Sequence, residues 1–187
     1  MSTDLQNHRN YFGGESGLCT GRLTVDLGRL QRNYKRMCDV AAGAEVGAVV
    51  KADAYSMHVE PFAQALWNVG CRTFFVAVPD EGAELRAVLP DARIFILSSV
   101  MPEGVSTILD NGLIPMLCCE EDVDMIREAA APRGKVIDVA LHMDSGMNRL
   151  GFNTEEFEEF ATRPEAIEGL NPVLISTHLA CADDLDS

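Results

Sequence analysis

The chain repeats one unit, a short apolar strand followed by a helix, and that repetition constrains the fold more than anything else in it. Apolar and β-branched runs predict strands over 46–52, 73–78, 93–97, 113–117, 136–143 and 173–178. Helical spacing predicts helices over 61–69, from Pro79-Asp80 to 88, and over 102–110, 120–130 and 154–161. Asp80, Glu120 and Thr154 stand where helix caps and first-turn acids belong. Five consecutive βα units and a sixth strand require a parallel sheet. The expected fold class is therefore α/β, a TIM-type (β/α)8 barrel that is incomplete, with about six of eight units. A doubly wound sheet is the alternative. The strand over 136–143 favours the barrel. It is apolar on one face (Ile137, Val139, Leu141, Met143) and mixed on the other (Val136, Asp138, Ala140, His142, Asp144). A doubly wound sheet is more often apolar on both faces.

Before these units, 22–27 alternates like a short strand. Leu30, Tyr34, Met37 and Cys38 then recur at helical spacing. Residues 1–20 are polar and Gly-containing and are expected to form a flexible tail, with one domain over 21–187. The net charge of −14 argues against nucleic acid or an anionic membrane as partner, because phosphate binding needs clustered Lys and Arg. No stretch approaches a spanning helix, and the N-terminus lacks the basic and apolar regions of a secretory signal. The six cysteines show no C-x-x-C spacing, and Cys118-Cys119 are badly placed for an internal bridge. They read as reduced thiols of a cytoplasmic protein. No metal-ligand spacing is present. The acidic end with Asp183, Asp184 and Asp186 reads as a solvated loop.

The expected chemistry gathers at the C-terminal rim of the sheet, where barrel active sites lie. Lys51 is expected to end the first barrel strand beside low-dielectric surroundings. Desolvation there disfavours an ammonium, as a Schiff-base lysine requires. Arg149 falls in the loop after the fifth strand, between Gly146 and Gly151, which would aim it inward. A guanidinium there keeps its charge and can stabilise an oxyanion. His178 is expected to end the sixth strand. A lysine that reaches water and a solvated loop arginine are the plainer readings of the first two.

Three segments now add up. Ala48-Val-Val-Lys-Ala-Asp-Ala-Tyr55, Asp144-Ser-Gly-Met-Asn-Arg-Leu-Gly151 and Ser176-Thr-His-Leu-Ala-Cys-Ala-Asp183 closely resemble three signature segments of the alanine racemases, in the same order. The resemblance runs from about residue 22 to the end of the chain. It implies a barrel that carries pyridoxal 5'-phosphate and interconverts L- and D-alanine in the cytoplasm, supplying D-alanine for the cell wall. Lys51 matches the lysine that holds the cofactor covalently and serves as one of two bases. Tyr55 matches a tyrosine on the cofactor phosphate, Arg149 an arginine beside the phenolic oxygen, and His178 a histidine beside the pyridine ring. The resemblance further implies a homodimer whose partner subunit supplies the second base, a tyrosine.

Three departures stand out. The family follows its tyrosine with Gly-His-Gly, where this chain has Ser56-Met57-His58. A serine is costly there if the site needs positive φ. His142 replaces a lysine that many members carbamylate, so the negative charge beside Arg149 is lost, with Asp144 as a partial substitute. His142 and His58 read as structural or solvated. Finally, a closed barrel needs two more strands than the six expected here, so the sequence reads as part of a longer protein, a truncated product, or a chain completed by another. A racemase for another amino acid and a non-catalytic cofactor-binding fragment are the rival readings.

Overall fold

The computed structural model describes residues 23–184. Helix α1 (Leu27–Val40) leads into β1 (Ala48–Val49) and a short helical turn, α2 (Lys51–Ser56). Helix α3 (Val59–Trp67), strand β2 (Thr73–Val76), helix α4 (Pro79–Val88), strand β3 (Arg93–Ile96) and helix α5 (Val105–Asp110) follow. Strand β4 (Ile114–Leu117), helix α6 (Glu120–Ala130), strand β5 (Ile137–His142), helix α7 (Thr154–Ala161) and strand β6 (Leu170–Ser176) complete the order.

All six strands are parallel, and the sheet runs β1-β2-β3-β4-β5-β6 without a reversal. That order decides between the two expected architectures. A doubly wound sheet reverses its order at a switch point and sends helices to both faces. Right-handed crossovers that never reverse put every helix on one face, and the sheet curls around the other. The buried side chains separate accordingly. Phe74, Val76, Ile94, Ile96, Leu117, Val139 and Leu141 pack under the helices. Phe95, Ile114, Met116, Cys118 and Ala140 form a second cluster, with Phe75, Leu97 and Leu174 packed against it. Strand register puts Val49, Phe75, Phe95 and Ile114 on that inner face, and Phe75 and Phe95 stack at 5.0 Å. The fold is a partial TIM-type barrel.

Three expected boundaries are corrected. Residues 23–26 form no strand. The Asp26 carboxylate instead accepts the Arg29 N–H at 2.9 Å and caps α1, a local bond that competes with extended pairing. The first barrel strand pairs only over Ala48–Val49, because the backbone turns left-handed just beyond it. The last strand is Leu170–Ser176, so it starts earlier than expected and ends short of His178. Pro172, which has no N–H to offer, is accommodated at a register shift opposite Val139 and Ala140. The expected tail over 1–20 lies outside the described residues.

The helix starts follow local chemistry. Asp80 and Glu120 sit in first turns, as expected, while Asn153 rather than Thr154 caps α7. Asn153 Oδ1 accepts the Glu156 N–H at 2.9 Å, and Glu156 accepts the Asn153 N–H at 3.0 Å, a reciprocal pair. In α6, Asp122 is only 2% exposed. Its carboxylate accepts the Ser99 hydroxyl at 2.9 Å, the Val100 N–H at 3.2 Å and the Cys118 N–H at 2.9 Å. A buried carboxylate this well supplied ties the ends of β3 and β4 to one helix.

Candidate active site

Parallel strands send their C-terminal ends to one rim, so the loops after β1, β5 and β6 open on the same side of the sheet. The loop after β1 is α2, and its hand is unusual. Ala52, Asp53, Ala54 and Tyr55 have φ of 52, 52, 53 and 56°, all left-handed. Each non-glycine residue in that region costs roughly 1–2 kcal/mol, so a run of them persists only where its groups are held. The Ala54 N–H bonds the Val50 carbonyl at 2.9 Å. Asp53 accepts the Val59 N–H at 2.8 Å and lies 3.2 Å from His58 Nδ1. Glu81 accepts the Ala52 N–H at 2.8 Å and the Ala77 N–H at 2.7 Å. Ala54 is buried, whereas Ala52, Asp53 and Tyr55 face solvent.

Lys51 opens this turn instead of ending a strand, and it is half-buried. Among the described residues no carboxylate pairs with its ammonium.

The loop after β5 is braced by its first and last residues. Asp144 Oδ1 accepts the Gly146 and Asn148 N–H groups at 2.9 and 3.0 Å, which holds its carboxyl below the ordinary aspartate range. The Asp144 N–H bonds the Phe152 carbonyl at 2.8 Å, and the Phe152 N–H bonds the His142 carbonyl at 2.9 Å. Phe152 is buried and stacks on Phe160 at 5.2 Å. Gly151, at φ 111°, makes this closure possible, because a Cβ there would lie 2.7 Å from His142 Cδ2 and 2.8 Å from the Asp144 nitrogen. Arg149 is exposed on the loop.

On the inner face His142 Nδ1 meets Ser176 Oγ at 2.9 Å, across from the loop after β6. Burial holds the imidazole below the ordinary histidine range; Asp144 opposes, and His178 and Arg149 push the same way as burial. His178 lies two residues past β6 and is exposed. Among the described residues no hydrogen bond or ion pair joins Lys51, Tyr55, Arg149 and His178 to one another. Sequence reasoning missed Glu81 and Ser176. An acid at the third position of a helix that follows a strand was the available signal for Glu81.

The remaining polar groups are structural. Cys118 packs inside the barrel, and burial pushes its thiol up to about 12, with the charge of Asp122 adding to the effect. Cys38, Cys71, Cys118 and Cys119 are free thiols. Among the described residues no group of His, Cys, Asp and Glu could hold a metal ion, and no helix is long and apolar enough to cross a membrane.

Residues 25–187 match the family described as alanine racemase, N-terminal domain. The chain belongs to that family. It is similar to the alanine racemase of Rhizobium meliloti (strain 1021), 43% identical over 165 residues, covering 88% of this chain and 43% of the relative. It is also 37% identical to a catabolic alanine racemase of Agrobacterium fabrum, across 98% of this chain and 47% of that protein. The chain thus spans about half the length of the curated relatives it matches. Among solved structures it resembles alanine racemase from Bartonella henselae with covalently bound pyridoxal phosphate. That likeness has a TM-score of 0.81 at 30% identity, covering 87% of this chain and 48% of that one. A histidine racemase from Leuconostoc mesenteroides gives a TM-score of 0.78 at 25% identity, with 86% and 44% covered.

The family pattern gives the departures after Tyr55 a structural meaning. Its two glycine positions fall on Ser56 and His58, whose φ values are 64 and 67°. Both positions demand the left-handed region, and this chain fills both with side chains.

Proposed function

We propose that this chain is the cofactor-carrying N-terminal part of a pyridoxal-phosphate-dependent racemase that interconverts L- and D-alanine. The observation that carries the reading is the half-buried Lys51, without a carboxylate partner among the described residues, on a left-handed turn at the rim and inside a segment of the family's pattern. The chemistry of the donor set fits the cofactor. A primary amine can condense with its aldehyde, and the cationic Arg149 and the phenol of Tyr55 suit its anionic oxygens. In a chain of net charge −14, a lysine and an arginine that have no ion pair among the described residues favour an anionic ligand locally at their rim.

When bound, pyridoxal phosphate supplies an electron sink that makes the α-proton of an amino acid removable. Lys51 would hold the group through its Nζ, and the same primary amine would serve as the base that takes or returns the α-proton on one face. The Arg149 guanidinium would stabilise a phenolate oxygen of the bound group. Tyr55 would offer its hydroxyl to a phosphate oxygen of the bound group, and His178 would help to hold its ring. The second base comes from a partner subunit of a homodimer, which we place in the cytoplasm.

The test starts from the chain with pyridoxal phosphate and borohydride, followed by peptide mass spectrometry. A reduced adduct on Lys51, absent in Lys51→Ala, is the expected result. Adduct elsewhere, or none, refutes the assignment. Solvent deuterium entering alanine at Cα reports the base chemistry. Adduct without exchange leaves a cofactor-binding unit that does not racemise on its own. The likeness to a histidine racemase carries a second reading, another amino acid as substrate, and deuterium exchange across a panel of amino acids separates the two.

A further inference from the structure

The starts of α4 and α6 are built on one plan. Glu81 and Asp122 are each the third residue of their helix. Each accepts the N–H of the residue that follows its own strand, Ala77 at 2.7 Å and Cys118 at 2.9 Å. Each turns its other oxygen to the loop after the preceding strand, to the Ala52 N–H at 2.8 Å and the Val100 N–H at 3.2 Å. The recurrence marks a device of the rim, a first-turn carboxylate that spans two neighbouring βα loops. What differs is the loop that is held. Val100 is buried among core side chains. Ala52 is exposed, directly follows Lys51 and begins the left-handed run.

We propose that Glu81 is a positioning residue for Lys51, fixing the direction from which its amine is presented; the proposal rests on the reading of Lys51 as the cofactor lysine. The argument is geometric. The Ala52 N–H lies in the peptide plane that joins residues 51 and 52, so holding it sets ψ of Lys51. No packing holds Ala52 or Asp53, which face solvent. Asp53 secures only the far end of the turn, through Val59 and His58. At the near end the Glu81 carboxylate supplies a charge-assisted bond, and its second oxygen anchors that carboxylate to the end of β2 through Ala77. A glutamine there keeps one acceptor and turns an NH2 donor against the other N–H.

The experiment uses the 187-residue chain and its Glu81→Gln, Glu81→Ala and Asp122→Asn variants. Two ratios are read by peptide mass spectrometry, both relative to the exposed Lys35: acetylation of Lys51 by an activated ester, and borohydride trapping of pyridoxal phosphate on Lys51. Freeing the turn is expected to raise acetylation and to lower trapping about tenfold in Glu81→Ala, the factor that one lost charge-assisted bond corresponds to. Glu81→Gln falls between. Asp122→Asn, which loosens the equivalent clamp on a loop without site residues, lowers the melting temperature and leaves both ratios at the wild-type value. Wild-type ratios in both Glu81 variants overturn the proposal, as does an equal change in Asp122→Asn. Should Glu81→Ala fail to fold, Glu81→Gln decides by the same ratios. If wild type traps no cofactor on Lys51, the cofactor reading fails, and acetylation alone decides whether Glu81 orients the lysine.

Discussion

Ser56→Gly should make this protein more stable, although it removes atoms and adds none. Ser56 has φ 64° and is exposed. Its hydroxyl takes part in no hydrogen bond among the described residues. A non-glycine residue in the left-handed region costs roughly 1–2 kcal/mol, which glycine does not incur. Against this, a glycine gives the unfolded chain more freedom, worth about 0.4–1 kcal/mol. The balance is a gain of about 0.5–1 kcal/mol. For a chain of this length that raises the melting temperature by about 1–4 °C. Differential scanning calorimetry against wild type measures it, with Glu84→Gly as a control of opposite sign. Glu84 is exposed in the right-handed helix α4, where glycine should cost about 1 kcal/mol. A Ser56→Gly variant that melts at or below wild type would refute the claim that strain is stored after Tyr55. His58→Gly should gain less, because His58 pairs with Asp53 at 3.2 Å and that contact would be lost.

Gly151→Ala should destabilise by at least about 2 kcal/mol, since its Cβ meets His142 and Asp144 at 2.7–2.8 Å in a left-handed backbone, and a shift in denaturant midpoint would show it. Phe152→Ala should cost about 3–5 kcal/mol, because the ring is 1% exposed and stacks on Phe160; a cost under about 1 kcal/mol would mean the loop closure is not anchored there. His142 should titrate below the ordinary histidine range in an NMR pH series, because burial outweighs Asp144. The sign follows from linkage: the unfolded chain takes up this proton first, so stability is intact above the ordinary histidine range and falls as pH drops toward the depressed midpoint. His142→Gln should flatten that slope, and an unchanged slope would assign the acid sensitivity to other groups.

The strand–helix alternation was legible because each βα unit carries its own signal, and 120–130 and 154–161 fall on α6 and α7 residue for residue. The errors fall where a local side-chain bond or a tertiary contact overrides periodicity. Asp26 reads as one member of an alternating strand, but its carboxylate caps α1. The apolar run 46–52 reads as one strand, but pairing stops at Val49. Nothing in Ala52-Asp-Ala-Tyr55 signals a left-handed backbone, since none of these residues is glycine. The turn depends on Glu81, which lies on another element and is invisible to any local pattern.

The same reasoning explains why the rim residues could be named but not placed. Lys51 and His178 belong to the loops after β1 and β6, the first and last strands of the described order. Val49 and Ile175, on those strands, stand 44% and 62% exposed. Motif spacing reports that Lys51, Arg149 and His178 share an end of the sheet, because parallel strands guarantee it. It does not report the arc between them, which is set by how far the sheet curls around Phe75, Phe95 and Met116. A group that reached from Lys51 to Arg149 would have to span that arc. The inner-face packing that sets the curl therefore matters to the site as much as the residues on its rim.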